Sequence, residues 1–156
     1  MGCGKTQLIE QLEALLPADF DEWKDATYIE PFVGGGAMLF YMLRTHANIQ
    51  TAVINDINPD LTTCYTVVRD HPSELVESLQ QIQKEYYALT SEDERKAFFM
   101  QRRNEFNTKS LDSLRNTTLF FFLNRTCFNG LFRVNKAGFF NVPFGRYEHP
   151  QICDAK

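Results

Sequence analysis

The residues with chemistry in their spacing begin at Gly34, Gly35 and Gly36. They follow Thr27 to Val33, a run that includes the β-formers Tyr28, Ile29, Phe32 and Val33. Glycines here can take φ > 0 and let a ligand approach the backbone. An apolar run from Ala37 to Leu43 resumes at once, as a helix start would. Asp56 stands 20 residues past Gly36, at the tip of a second β-rich run, Thr51 to Asp56. A carboxylate there can accept both hydroxyls of a ribose. It can equally cap the helix that starts near Asn58. The spacing fits NAD and S-adenosylmethionine alike. Leu39 stands where a G-x-G-x-x-G motif needs its third glycine, which favours a ligand that is not a dinucleotide.

A second constellation lies far along the chain. Leu131 to Val134 and Phe139 to Val142 alternate in hydrophobicity around Asn135-Lys136-Ala137-Gly138, a hairpin pattern. It projects Asn129, Arg133, Lys136 and Asn141 beside Phe128, Leu131 and Phe132. Arginine can fork onto a guanine edge, asparagine can read adenine, and an apolar residue can wedge a base step. A small structural hairpin would use the same composition.

The charge distribution bears on that choice. The 156 residues carry a net charge of −4, but residues 1–94 hold 5 basic and 16 acidic groups. Residues 95–146 hold 10 basic groups and only Glu105 and Asp112 as acids. Such a block is expected of a polyanion-binding face, although a solvated helix face can also be basic. Seven of the ten are arginine, which suits phosphates and base edges.

These residues need elements to hold them. The glycine turn requires a strand before it and a helix after it. Amphipathic periodicity predicts helices over Thr6 to Leu16, Pro59 to about Arg69 and Ser73 to Leu89. Ser91 and Glu94 form a capping-box pattern for a helix to about Phe106, and Leu111 to Thr126 is apolar enough to be central. Residues 57–126 offer no good buried strand, so a helical insertion interrupts the sheet. The longest apolar run, Leu119 to Leu123, is too short to span a bilayer. The four cysteines show no zinc spacing, which fits a reduced cytosolic protein. Gly4-Lys5-Thr6 looks like the end of a phosphate loop without its first glycine, and Met1-Gly2 with Thr6 matches a short myristoylation pattern. Lys5 is kept as a candidate anion contact.

Three stretches together resemble the Dam-like family of DNA adenine-N6 methyltransferases, from about Gly4 to Asp154. Gly4 to Ile9 is similar to the family's N-terminal G-K-x-x-L-[LI] motif. Glu30 to Gly36, with Asn55 to Leu61, resembles its cofactor site. Leu123 to Asn135, with Phe140 to Tyr147, resembles its DNA-reading hairpin and is the most specific of the three. The resemblance implies a Rossmann-like α/β sheet with a mostly helical target-recognition insertion ending in a β-hairpin. Residues 1–57 would begin the cofactor domain, 58–148 would form the recognition domain, and 149–156 would return to the catalytic domain.

By the same resemblance, Lys5, Phe32, Gly34, Gly36 and Asp56 would contact S-adenosylmethionine. Phe128 would wedge into the duplex, while Asn129, Leu131, Arg133, Asn135, Pro143 and Tyr147 would meet DNA. The recognised site would be GATC or close to it. The implied setting is the bacterial or phage cytosol, with a monomer on double-stranded DNA, no membrane, and a cognate restriction endonuclease as a candidate partner. The sequence departs from the family in three places. Met1 stands where the family has an aromatic residue, Thr126 and Cys127 replace residues often glycine or aromatic, and no D-P-P-Y motif occurs. The expectation is therefore an inactive fragment of an enzyme, or a DNA-binding protein that has lost the chemistry.

Overall fold

The computed structural model describes residues 8–154, which cluster into two compact units with the break inside one helix, at Thr62 and Thr63.

The first unit is a small α/β assembly. Helix α1 (Ile9–Glu13) is shorter than its apolar stripe predicts. The turn tightens as Leu15 and Leu16 donate to carbonyls only three residues back, and Pro17 follows. Thr6 and Gln7 lie outside the described residues. Strand β1 (Ala26–Glu30) pairs in parallel with β2 (Ile49–Ile54), and α2 (Ala37–Thr45) connects them. Their ladder ends where Asn55 N–H donates to Glu30 O. Val33 then bends back and donates to Asn55 O. Met38, Leu39 and Met42 form the buried face of α2. The outer face is apolar too: Ile29 and Val53 are register partners and are 64% and 51% exposed. Parallel sheets ordinarily have both faces covered.

Helix α3 (Pro59–Asp70) crosses the break. The second unit is built from α4 (Pro72–Tyr87), α5 (Glu92–Phe106) and α6 (Ser113–Thr126), followed by an extended return segment. The expected pattern places Leu75, Val76, Leu79, Ile82 and Tyr86 in the core; Val76 is only half-buried and the other four are buried. The Ser91 and Glu94 capping box forms with both reciprocal bonds. Helix α6 is central, with Phe122, Leu119 and Leu123 fully enclosed. Aromatic edges tie the unit together: Phe122 meets Tyr86 and Phe98, and Phe106 meets Phe120 and Phe140. The last described turn is pinned to α4 by Gln83, whose Oε1 accepts from Ile152 N–H and Cys153 N–H.

Four of the seven arginines in the basic block form ion pairs inside this unit. Arg95 pairs with Glu148, Arg146 with Glu92, and Arg102 and Arg115 share Glu105. The basic block thus overstates the charge left for a polyanion. Hydrogen bonds from Arg115, then from Arg102, hold the Glu105 carboxyl below its ordinary range. The stability it adds is present above the usual glutamate pKa and is lost as pH falls through the lowered folded value. Glu105→Gln should cost about 1 kcal/mol at neutral pH after solvent screening. Melting curves should show this gap at pH 7 and its closure in acid. A gap that persists when Glu105 is protonated would mean that packing, not charge, holds the cluster.

The expected hairpin is present as an antiparallel pair but not as two continuous strands. Val134 and Phe140 form one isolated bridge, and Cys127 and Phe144 form another. Side-chain amides occupy the positions where a longer ladder would run. Asn107 donates to Phe140 O at 3.0 Å and accepts from Phe140 N–H at 2.8 Å. Asn135 Oδ1 accepts from Ala137 N–H and Phe139 N–H.

Candidate cofactor and DNA-reading sites

The glycine turn and the second strand tip meet in the first unit. Gly34 and Gly36 have φ of +53° and +76°, values that side chains disfavour. Gly36 caps α2 without a side-chain bond and no acid stands in the first turn, so its amide end carries a partial positive charge. Asp56 is half-buried, and its carboxylate is already engaged. Oδ2 accepts from Gly34 N–H and Oδ1 from Asn58 N–H, both at 2.9 Å. The bond to Asn58 N–H is a turn ahead of α3 rather than its cap: Asn58 caps the helix, with its Oδ1 accepting from Asp60 N–H at 3.0 Å. The bond to Gly34 N–H clasps the glycine loop to the strand tip.

A carboxylate has about four acceptor positions, so two bonds leave capacity for a sugar hydroxyl. A Cβ added at Gly34 would meet nothing within 4 Å, which leaves the loop open for close approach. The Phe32 ring is 74% exposed beside this opening in sequence. These features fit a nucleoside-containing cofactor. Lys5 lies outside the described residues.

Glu30 was not singled out by the spacing, yet its side chain is buried at the end of β1 and accepts from Tyr28 hydroxyl at 2.9 Å. Burial, then the Glu30 carboxylate, pushes the tyrosine hydroxyl well above its ordinary pKa, so it stays a donor. The signal in the sequence was an acid directly before Pro31 in an otherwise apolar strand.

In the second unit, two stretches distant in sequence are brought together. Phe128 N–H donates to Pro143 O, and Gly145 N–H donates to Thr126 O. Between them the chain makes a tight 3-10 turn over Phe128–Gly130. Asn129 is left-handed at φ +54°, a conformation asparagine tolerates better than most residues. Asn124 Nδ2 donates to Gly130 O at 2.9 Å and fixes the turn to the end of α6. The turn presents Phe128 and Leu131 at 52% and 43% exposure. Cys127 lies under it, buried, with its thiol donating to Leu131 O at 3.2 Å. Burial raises that thiol's pKa, which marks an inert packing group rather than a nucleophile.

The remaining expected DNA contacts divide by what their side chains do. Pro143 and Tyr147 are exposed, and Tyr147 O accepts from Tyr86 hydroxyl at 2.6 Å. Burial pushes the Tyr86 hydroxyl up to about 12, so this bond persists at neutral pH. Arg133 is exposed, and its guanidinium bonds to Asn141 rather than to a carboxylate. Asn135 spends its side-chain oxygen on the hairpin turn, leaving only its amide nitrogen to face outward. Asn107 and Asn124, which brace this surface, went unnoticed in the sequence. Each is an amide at the C-terminal end of a helix, α5 for Asn107 and α6 for Asn124, and that placement was the available signal.

Among the described residues no group of three or more His, Cys, Asp or Glu side chains is placed to hold a metal ion. No described helix is long and apolar enough to cross a membrane.

One chain thus carries parallel strands with a glycine turn open to close approach, and an arginine-bearing hairpin segment on a helical unit. The chain belongs to the D12 class N6 adenine-specific DNA methyltransferase family, whose model matches residues 3–156. It is 46% identical to the type II methyltransferase M.MjaIII of Methanocaldococcus jannaschii, over 97% of this chain and 52% of that protein. It is 34% identical to the DNA adenine methylase of Escherichia coli K12, over 98% of this chain and 49% of that one. The DNA N-6-adenine-methyltransferase of Escherichia phage P1 is 37% identical over 94% of this chain and 17% of its own length. The chain spans about half the length of the first two.

Proposed function

We propose that the protein carrying this chain methylates N6 of adenine in double-stranded DNA, with S-adenosylmethionine as the donor. The observation that carries this reading is the junction of Gly34 and Asp56 at the C-terminal ends of two parallel strands. Ligands of α/β sheets bind outside those strand ends. When bound, S-adenosylmethionine supplies a methyl group made electrophilic by its sulfonium. Asp56 would accept from the ribose hydroxyls, and Gly34 and Gly36 would let the methionine end lie against backbone, with Phe32 beside it. Positioning is the main contribution asked of these residues. The exposed Ile29 and Val53 face fits further elements of a Rossmann-like sheet.

The second unit would handle the duplex. Adenine must leave the stack to be methylated. Phe128, on a turn braced by Asn124, Cys127 and Pro143, is placed on a rigid support to fill the step beside it. Arg133 would read a guanine, and Asn129, Leu131, Asn135, Pro143 and Tyr147 would meet base edges or backbone. GATC is the site this surface is proposed to read, by a monomer in the bacterial or phage cytosol. A cognate restriction endonuclease is the proposed companion where the methylase protects host DNA.

Transfer of a radiolabelled methyl group by the intact protein to adenine in duplex DNA tests the proposal. Arg133→Ala should relax discrimination at one base pair by about 1–3 kcal/mol. An equal loss across all sequences, read by methylation of single-substituted duplexes, would make Arg133 a phosphate contact instead. A second reading is a DNA-binding protein without chemistry. Full DNA binding with no methyl transfer by the intact protein would select it.

A further inference from the structure

Arg133 differs from four other arginines of its unit in what holds it. Arg95, Arg102, Arg115 and Arg146 bond to glutamates. Arg133 bonds to one asparagine. Its Nε–H donates to Asn141 Oδ1 at 2.9 Å, and Nη2 donates to Asn141 O at 3.4 Å. These two donors form the side-on edge of the guanidinium fork. The end-on edge, made by Nη1 and the second Nη2 hydrogen, is left over.

Asn141 is itself fixed. Its N–H donates to Arg133 O at 3.2 Å, closing the antiparallel pair. Its neighbours Phe140 and Val142 are buried, so alternation along the segment turns Asn141 the other way. Asn107 holds both backbone groups of Phe140, and Arg103 donates to Val142 O at 3.4 Å. The seat under Arg133 is therefore a braced extended segment.

We propose that Asn141 is a positioning residue for base reading: it clamps the side-on edge of Arg133 so that the end-on fork meets guanine O6 and N7. This rests on Arg133 being a base reader, as proposed above. A neutral clamp orients the guanidinium without cancelling its charge. A glutamate in the same place would fix the side chain but oppose the field that draws it to DNA. Pre-orientation spares the loss of rotamer freedom on binding, and it applies only where a geometrically matched base is present. A phosphate, which accepts from either edge, would gain little from it.

The test uses the intact protein and a duplex pool randomised around a central adenine, methylated and then sequenced. Asn141→Ala is expected to lower preference at the base pair read by Arg133 by about 3- to 10-fold, with preferences elsewhere unchanged. Asn141→Asp keeps the Oδ acceptor and is expected to restore the preference while slowing association at low salt. Asn141→Ala added to Arg133→Ala is expected to cause no further loss, because the clamp acts only through the arginine. Melting temperatures of the variants verify that the unit stays folded. Uniform weakening across the pool by Asn141→Ala, with Arg133→Ala selective, would overturn this proposal alone. A non-selective Arg133→Ala would overturn the base-reading role and this proposal with it.

Discussion

Asp56→Ala in the intact protein is expected to lower S-adenosylmethionine affinity about 100-fold or more. Hydrogen bonds to a charged acceptor contribute about 1.5–3 kcal/mol each, and two ribose hydroxyls would lose that acceptor together. Each 1.4 kcal/mol is about tenfold in binding. The structure adds a second consequence. Gly34 N–H and Asn58 N–H would both lose their partner, so the glycine loop would come loose from the second strand tip. Asp56→Asn separates the two effects. Its remaining oxygen can still serve one of the two amides, so folding should largely recover while affinity should not. Calorimetric titration beside a melting curve gives both readings. Unchanged affinity with a lowered melting temperature would make Asp56 a brace only, and would remove the main support for the cofactor site.

Gly145→Ala is expected to lose the proposed DNA-reading surface although Gly145 is not itself a proposed DNA contact. A Cβ at Gly145 would stand 2.5 Å from the Tyr147 ring, 2.6 Å from Cys127 O and 2.8 Å from its carbonyl carbon. The ring edge can swing aside, but the Cys127 backbone cannot. It carries the bridge to Phe144 and leads straight into Phe128. Separation must follow, at about 1–3 kcal/mol for the forced shift. For a unit of this size each 1 kcal/mol lowers the melting temperature by about 4–8 °C. Methylation of cognate duplex should fall further than stability alone explains, because the wedge and the Arg133 segment lose their common support. Hydrogen exchange at the Phe128 to Leu131 amides should accelerate. Unaltered exchange there, with full sequence preference, would show that the loop accommodates the methyl group and that this close approach is incidental.

Much of the helical architecture was legible because it is local. The apolar stripe of α4 and the Ser91 and Glu94 box are set by spacing of three and four residues, and the folded chain reproduces them. The glycine turn was legible for the same reason, since only glycine readily takes φ above zero at Gly34 and Gly36. Local pattern failed in the hairpin. Alternation predicted two strands, but Asn107, more than 30 residues away, takes the backbone groups of Phe140. It also failed for the charge count, where glutamates from α4, α5 and the return segment offset arginines that sequence alone left available.

By itself the sequence determined which residues could bind a nucleoside or read DNA, because residue chemistry and turn conformation are properties of a few adjacent positions. The tertiary structure decided what each of them is left free to do. Asp56 became a clasp as well as an acceptor, Asn135 a turn cap, and Arg133 a fork with one edge held. The reason is that a hydrogen-bonding group is spent or spared by whatever the fold sets beside it, and at Arg133 that neighbour lies eight residues away across a turn.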